Sequence, residues 1–354
     1  MKVAANQKTV DAIVVTCPAD VGYLSGFTGD DSSLVFSRMW ACLVTDGRYS
    51  ERADKDCADI DVHVRKASMS QAVADVLKGC RVRRVGVQAE HITLRSRNAL
   101  AAALGGRQLR ELDSVTAPCR ETKDSWELRA IRKAVRIAQR AFLDLTAGGA
   151  DALIGRSERQ VAARLDYLMR CAGADSPAFD TIVAAGAHGS DPHYSPADTK
   201  IRKSQAVLLD WGAMFGGYCS DLTRVVFTGR IPPELAEIYE VVLRAQAAGL
   251  RKIAPGISLR AVDAAARKVI EQAGYGRQFV HSLGHGLGRD VHERPVLGAK
   301  VRGRLRKGMV VTVEPGIYIP GVGGVRIEDD VLVTSNGRQK LSSLPRKAAQ
   351  MVLR

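Results

Sequence analysis

The chain contains 354 residues, of which 46% are hydrophobic and 25% are charged, and its formal net charge is +14. This length exceeds that of an ordinary single domain, and the hydrophobic content is sufficient for two cores, so we expect two domains. The basic charge raises the question of a nucleic-acid partner. Lys and Arg are spread along the chain, however, and no Arg-rich tract alternates with aromatic residues, so we expect a basic but ordinary surface rather than a nucleic-acid interface.

Two further features concern the cellular compartment. No segment approaches the roughly 18 consecutive apolar residues of a membrane span, and the first residues lack a basic stretch followed by an apolar core and a cleavage site. The seven cysteines are widely scattered and form no C-x-x-C pair that would indicate zinc or redox chemistry. We therefore expect a cytoplasmic protein with reduced cysteines and no membrane partner.

The region before Pro118 alternates short β-rich runs with helical segments. The strand-like runs are DAIVVT, SSLVFS, ACLVTD and RVGVQ, and SQAVADVLKG has a helical pattern. This alternation predicts an α/β domain with a partly parallel sheet. We place the boundary near Pro118, which gives domains of residues 1–118 and 119–354.

A long amphipathic helix is predicted directly after the boundary, in SWELRAIRKAVRIAQRAFLDL. Apolar residues recur there at alternating steps of four and three, the spacing of one helix face. The face comprises Ile131, Val135, Ala138, Phe142 and Leu145. Asp124 followed by Glu127 has the pattern of a capping box, so the helix is predicted to begin just after Asp124.

Two later segments resemble each other and indicate an internal duplication. Residues 148–173 and 249–274 each run from a helix end through a turn to a serine, Ser157 or Ser258, and then into an amphipathic helix closed by glycine. Strand-like runs follow each copy. We therefore predict that the second domain consists of two similar helix-plus-sheet halves around a shared centre, where active sites commonly lie.

Each half contains a predicted hairpin that carries two carboxylates. A turn between Phe215 and Gly216 would place Asp210 directly opposite Asp221, and a turn around Gly321 would place Glu314 opposite Glu328. Because the chain has 38 Asp and Glu residues, a single acidic match carries no weight. Pairs beside glycine turns in both halves are harder to attribute to chance.

Four carboxylates in a shared core repel one another and are costly to bury unless cations neutralise them. Two divalent ions roughly 3.5 to 4 Å apart suit such a set, with His285 in HSLGHGLGRDVHERP as the imidazole ligand. The donors are mainly hard oxygens, which favours manganese, with cobalt, zinc or iron as alternatives. The residues thus predict a two-metal site.

The whole chain resembles the pita-bread metallopeptidase family, which contains aminopeptidase P, prolidase, creatinase and methionine aminopeptidase. The first domain resembles the creatinase-type N-terminal domain through DVGYLSGFTGDDSSLVF and CLVTDGRYSERA. The second resembles the pita-bread catalytic domain. The resemblance implies an α/β and α+β protein, with a creatinase-type α/β domain followed by a catalytic domain of pseudo-twofold duplicated halves.

The resemblance also implies the metal ligands. Asp210 and Asp221 match the D-x-G and S-D-x-T-R aspartates, His285 the G-H-G histidine, Glu314 the E-P-G glutamate and Glu328 the R-I-E glutamate. In the family's arrangement, the second aspartate and the last glutamate bridge two ions and the others complete the sites, with a water or hydroxide between the ions. Family members with non-peptidase or scaffolding roles, creatinase among them, have typically lost metal ligands, and all five are present here.

Catalytic roles follow from the same resemblance. His193 in DPHYSP would contact the substrate, and His292 in VHERP would donate to the developing oxyanion. Glu314 is the candidate to carry a proton from the water to the leaving nitrogen. Arg326 lies two residues before Glu328 on the same strand face and is expected to pair with a ligand carboxylate, the alternative being a surface arginine.

Three residues are expected at the substrate pocket. His281 is near the site in sequence and is a candidate to line the pocket for the residue after the cleaved bond. Arg289 and Arg294 are candidates to bind a substrate carboxylate. Arg289 also departs from the apolar residue that many relatives carry, which leaves fine specificity open.

The first domain favours the proline-directed members over methionine aminopeptidase, which lacks it. We therefore expect a metal-dependent exopeptidase that cleaves the Xaa-Pro bond at peptide N-termini, as aminopeptidase P does, or in dipeptides, as prolidase does. The family resemblance suggests a homodimer. The alternatives are a non-peptidase amide hydrolase and a non-catalytic binding or scaffold protein on the same fold.

Overall fold

The computed structural model describes residues 10–113 and 115–354. The chain divides into two compact units, the first ending at Cys119 and the second formed by Arg120–Arg354. The start of the predicted first domain, residues 1–9, lies outside the described residues. Each unit has its own hydrophobic core.

The first unit alternates strands and helices, as the alternating β-rich and helical segments of its sequence predict. Its elements are β1 Ala12–Val15, α1 Pro18–Ser25, β2 Ser33–Phe36, β3 Ala41–Asp46, α2 Ser50–Asp56, β4 Asp61–Arg65, α3 Met69–Val76, β5 Arg84–Gln88, α4 Leu94–Ala103 and β6 Gln108–Leu112, with the short helix α5 Ala117–Arg120 at the boundary. The sheet has the order β4-β3-β2-β1-β5-β6. Strands β3 and β4, β1 and β5, and β5 and β6 pair in parallel, which confirms the partly parallel sheet.

The second unit consists of four long helices and a series of short strands. Its elements are α6 Ser125–Thr146, α7 Glu158–Cys171, β7 Ser176–Pro177, β8 Ile182–Ala185, β9 Ala206–Trp211, β10 Ala213–Phe215, β11 Tyr218–Cys219, β12 Leu222–Thr228, α8 Pro233–Lys252, α9 Leu259–Gln272, β13 Gly284–Gly286, β14 Glu293–Leu297, β15 Val310–Val313, β16 Gly316–Ile319, β17 Gly323–Arg326, β18 Asp329–Thr334, β19 Gly337–Lys340 and β20 Val352–Leu353.

The predicted duplication is visible in the second unit. Ser157 caps α7 and Ser258 caps α9 with their side chains, and each serine also forms an isolated bridge to a later residue, Lys200 or Arg304. The first half contains the helix pair α6 and α7 and the sheet β20-β12-β9-β8. The second half contains the helix pair α8 and α9 and the sheet β14-β13-β15-β18-β19. A single core, which includes Trp211 from the first half, joins the two halves.

The first helix of this unit behaves as the sequence predicts. Asp124 accepts hydrogen bonds from the backbone N–H groups of Trp126 and Glu127, and Glu127 accepts from the backbone of Asp124, so the capping box is formed. The predicted apolar face is at most 5% exposed. Phe142 stacks on Trp211 at 4.9 Å between ring centroids, which ties the helix to the first sheet.

The predicted register of the first hairpin is wrong by two residues. Asp210 pairs with Thr223 rather than with Asp221. The turn is formed by Gly216 and Gly217, whose φ values of 59° and 73° suit the left-handed two-residue turn that matches strand twist. A shift of two residues keeps each side chain on its face of the sheet, whereas a shift of one would reverse it, so both aspartates still reach the same side.

The second hairpin has the predicted register. Val313 pairs with Asp329 on one side and Gly316 pairs with Arg326 on the other, so the same register places Glu314 opposite Glu328. The described residues contain no disulfide bond. Within the described residues, no helix is long and apolar enough to cross a membrane.

Candidate metal centre

A cavity of about 600 Å³ lies in the second unit and collects side chains from both of its halves. Its polar lining comprises Asp180, His193, Tyr194, Ser195, Asp210, Asp221, His281, Ser282, His285, His292, Glu314, Arg326 and Glu328. The five predicted metal ligands are all in this set. The sheets of the two halves therefore deliver their carboxylates to one place.

The orientation of His285 is suited to metal binding. Its Nδ1 lies 3.2 Å from the carbonyl oxygen of Gly286, so this nitrogen carries the proton and donates. Nε2 faces the carboxylates, 3.2 Å from Glu314 Oε1 and 3.6 Å from Asp221 Oδ2. A backbone carbonyl that fixes the tautomer in this way is the usual arrangement for a ligating histidine.

Asp221, His285 and Glu328 form the tightest group of potential ligands. One ligand atom from each lies within 4.8 Å of the other two. Asp221 and Glu328 are only 5% and 1% exposed. The backbone N–H of Asp221 donates to Asp330 Oδ2, which fixes the position of Asp221 from behind.

Arg326 connects Asp210 to Glu328. Its guanidinium donates to Asp210 Oδ2 and to Thr223 Oγ1, and the Thr223 hydroxyl donates to Glu328 Oε2 at 2.6 Å. Arg326 is 3% exposed. The Arg326 guanidinium thus contacts the carboxylate of Asp210, one of the predicted ligands.

Two carboxylate oxygens in this site have no hydrogen-bond donor among the described residues. Asp210 Oδ1 and Glu328 Oε1 are buried and lack a partner among the described residues. An unpaired buried carboxylate oxygen is costly, and a cation is the natural neutralising group. Hard oxygens together with one imidazole suit divalent ions, so the residues present fit the predicted metals.

The pKa values of Asp221 and Glu328 reflect the crowding of negative charge in this site. Burial, and then the charge of Glu328, raises the pKa of Asp221 well above its usual range. Burial, and then the charge of Glu314, raises the pKa of Glu328 in the same way. Folding thus concentrates negative charge that protons or metal ions must neutralise.

Glu314 behaves differently from the other acids. Burial raises its pKa, but the hydrogen bond and charge of His285 outweigh that effect and lower the pKa to about 2. Thr312 Oγ1 donates to Glu314 Oε1 at 3.0 Å and also accepts from the backbone N–H of His285. Glu314 and His285 are therefore held as a pair.

The two other predicted catalytic histidines also reach the cavity. The His292 ring lies edge-on to the His285 ring, with 4.3 Å between centroids. Burial, and then the charge of His285, lowers the pKa of His292, so its imidazole is neutral with one N–H to donate. His193 lines the cavity on a loop where its backbone N–H donates to Asp191 Oδ1.

The predicted pocket residues separate into two groups. His281 lines the cavity and lies 2.9 Å from the hydroxyl of Tyr318. Arg289 packs its guanidinium against the ring of Tyr218, 5.4 Å from the centroid, and Arg294 is exposed on β14. Among the described residues, the cavity lining includes neither arginine. The guanidinium of Arg289 lies against the Tyr218 ring instead.

Comparison with known proteins identifies the family of the chain. Residues 129–335 match the Metallopeptidase family M24, and residues 2–122 match the Creatinase/Prolidase N-terminal domain. The chain belongs to metallopeptidase family M24. The predicted family and the predicted fold, a creatinase-type domain followed by a pita-bread domain, are therefore confirmed.

Individual M24 relatives are similar over nearly their whole length. An uncharacterized peptidase of Bacillus subtilis (strain 168) is 39% identical over 96% of both chains. The structure of an Xaa-Pro dipeptidase from Bacillus anthracis is 35% identical, with a TM-score of 0.92 over 97% of this chain and 95% of that chain. An X-Pro aminopeptidase from Thermotoga maritima is 34% identical, with a TM-score of 0.89 over 96% and 97%.

Sequence reasoning missed supporting residues of this M24 site. Thr223 connects Arg326 to Glu328, and Thr312 connects Glu314 to the backbone of His285. Each threonine is two residues from a predicted ligand in the chain, which is the spacing of side chains on one strand face. A search for polar residues two positions from each ligand would have found both.

Proposed function

We propose that this M24 protein is a dinuclear metallopeptidase that hydrolyses the Xaa-Pro bond, at the N-termini of peptides or in dipeptides. The observation that carries the proposal is the set of buried carboxylates around His285, two of which have oxygens without a donor. A scaffold protein has no use for such costly unpaired charges. A site that binds cations does.

In this proposal, the five residues that would hold the two ions are Asp210, Asp221, His285, Glu314 and Glu328. Manganese is the metal that this oxygen-rich donor set favours, with cobalt, zinc or iron as alternatives. When bound, such a metal pair supplies a nucleophilic hydroxide near neutral pH and polarises the scissile carbonyl. The protein then needs no serine or cysteine nucleophile.

The residues of the chain supply the remaining functions. Glu314 accepts and returns the proton that moves from the nucleophile to the leaving nitrogen. His292 donates its N–H to the oxygen of the tetrahedral intermediate, and His193 contacts the substrate from the opposite loop. Arg326 holds Asp210 in place through its guanidinium and orients Glu328 through Thr223.

The cavity has walls suited to proline. Phe179, Ile182, Val291 and Val296 give it an apolar side next to the carboxylates. Proline lacks the amide N–H that general peptidases bind and has a fixed φ, so a dedicated apolar pocket is needed to recognise it. The similar structures from B. anthracis and T. maritima carry the names Xaa-Pro dipeptidase and X-Pro aminopeptidase, and the proposal includes both specificities.

The test is turnover of Ala-Pro, Gly-Pro and a longer Xaa-Pro-Pro peptide by manganese-loaded protein. We expect cleavage of the Xaa-Pro bond, and the ratio of kcat/KM for the dipeptides and the longer peptide assigns the specificity. The same preparation of the Asp221→Asn variant serves as a control for contaminating peptidases. Failure to cleave all three, with turnover of a different amide, would replace the proposal by a non-peptidase hydrolase.

A further inference from the structure

A buried glutamate behind the cavity has four hydrogen-bond donors of its own. Glu158 is 0% exposed. Its Oε1 accepts from the backbone N–H of Ala185 at 2.7 Å and lies 2.8 Å from His188 Nδ1. Its Oε2 accepts from the hydroxyl of Tyr194 at 2.8 Å and from the backbone N–H of Ala197 at 3.2 Å. Both oxygens are thus fully used, in contrast to those of the metal-site carboxylates.

The location of Glu158 explains how a carboxylate is tolerated there. It is the first residue of α7, directly after the capping residue Ser157. The positive end of the helix dipole favours an anion at this position. The first turn of α7 also holds the chain beyond Ala197, since Glu158 N–H donates to the carbonyl of Thr199 and Arg159 N–H to that of Ala197. The helix start is therefore a rigid base.

The four donors all belong to one segment, residues 185–197, which we name the His193 loop. The loop presents Pro192, His193 and Tyr194 to the cavity. Glu158 holds it at both ends, through Ala185 and Ala197, and in its middle through Tyr194 and His188. The rings of His188 and Tyr194 also stack, with 4.6 Å between centroids.

The opposite side of the His193 loop rests on the metal site. Arg326 Nη1 lies 3.4 Å from the carbonyl oxygen of Pro192. Gly189 packs so closely on β17 that a Cβ added to Gly324 would lie 2.0 Å from Gly189 O. The loop is thus fixed between Glu158 and the strand that carries Arg326. A change at Glu158 releases only one of these two supports.

We propose that Glu158 is a positioning residue for catalysis, which sets the distance of His193 and Tyr194 from the metal site without touching the substrate. The proposal rests on the proposed function, in which His193 contacts the peptide. His188 serves the same purpose. It holds the loop to Glu158 and does not act on the substrate.

The test is Glu158→Gln. The glutamine oxygen can still accept two hydrogen bonds, but its NH₂ group cannot accept from the backbone N–H of Ala197. We expect kcat/KM for an Xaa-Pro peptide to fall by about 10- to 100-fold, because a displacement of about 1 Å in a positioning element has that effect. Metal content should be unchanged.

The matched control is Gln160→Ala. Gln160 accepts from the backbone N–H of Ser157 in the capping box of the same helix turn, but has no contact with the His193 loop among its hydrogen bonds. It should lower the melting temperature while leaving kcat/KM within about 3-fold of the wild type, which separates loss of helix stability from loss of positioning.

A double-mutant cycle and hydrogen exchange complete the experiment. In a His193→Ala background, Glu158→Gln should cost less than about 3-fold, because the two residues act through one loop. Amides of residues 186–197 should exchange at least about tenfold faster in Glu158→Gln and at the wild-type rate in Gln160→Ala. Unchanged exchange, or a full additive loss in the cycle, would overturn the proposal.

If the wild type itself cleaves no Xaa-Pro peptide, the proposed function fails, and the exchange rates alone decide whether Glu158 anchors the loop.

Discussion

Asp221→Asn is expected to lose bound metal and to lower kcat by at least about 10³-fold. Asp221 is buried beside Glu328 and His285 and is one of the ligands in the proposed metal site. A metal ion supplies several kcal/mol of transition-state stabilisation, and each 1.36 kcal/mol is about tenfold in rate. Asparagine keeps the volume of the side chain and leaves the backbone bond to Asp330 in place, so the fold should remain.

The measurement is metal content by elemental analysis together with kcat for Ala-Pro. Asp144→Asn is the matched control, because Asp144 forms a surface ion pair with Arg140 at the far end of α6. That variant should retain both metal and activity. An Asp221→Asn protein that keeps full activity would contradict the assignment of the site.

The same variant also has a stability readout that needs no substrate. Burial and the charge of Glu328 raise the pKa of Asp221 in the folded chain, whereas an unfolded aspartate ionises near pH 3.9. A raised folded-state pKa means that the metal-free wild type loses stability as pH rises above the unfolded value, until the folded pKa is passed. Asparagine removes this cost. In chelator, the stability advantage of Asp221→Asn should therefore be present at pH 8 and smaller at pH 5, as measured by thermal unfolding.

His292→Ala should lower kcat by about 10²- to 10³-fold, the usual cost of removing one oxyanion donor. The lowered pKa of His292 favours a neutral imidazole, which could donate a hydrogen bond without adding a positive charge to the proposed metal site. His292→Gln offers a donor of similar reach and should recover part of the rate.

The control for His292 is His63→Ala, since His63 lies on β4 of the first unit, outside the catalytic unit. It should keep the wild-type kcat. A rise in KM with unchanged kcat for His292→Ala would show that His292 binds the substrate equally in the ground state and the transition state, and would remove its role as oxyanion donor.

Much of the fold follows from local patterns in the sequence. The apolar face of α6 and its capping box are each encoded within a few residues, so periodicity and spacing were sufficient to predict them. Glu314 was also correctly predicted to lie opposite Glu328, because the register of this pair follows from the turn around Gly321. The Asp210 hairpin was placed two residues off because its turn was centred between Phe215 and Gly216, whereas Gly216 and Gly217 are the adjacent pair that readily adopts the positive φ of a two-residue turn.

The parts that sequence did not predict depend on distant contacts. Glu158 meets Ala185 and Ala197 across separations of 27 and 39 residues, and no local pattern identifies those partners. Arg289 was assigned to the pocket because of its position in a motif, but its guanidinium lies against Tyr218. Side-chain direction of long residues is decided by tertiary packing, which motif spacing does not encode.

The most direct test of the central claim is turnover of Ala-Pro by one wild-type preparation, followed through chelation and manganese addition while bound metal is counted. We expect activity to disappear with the metal and to return as the chain binds two ions. Undiminished hydrolysis by metal-free protein, or full activity with no metal bound, would contradict the account.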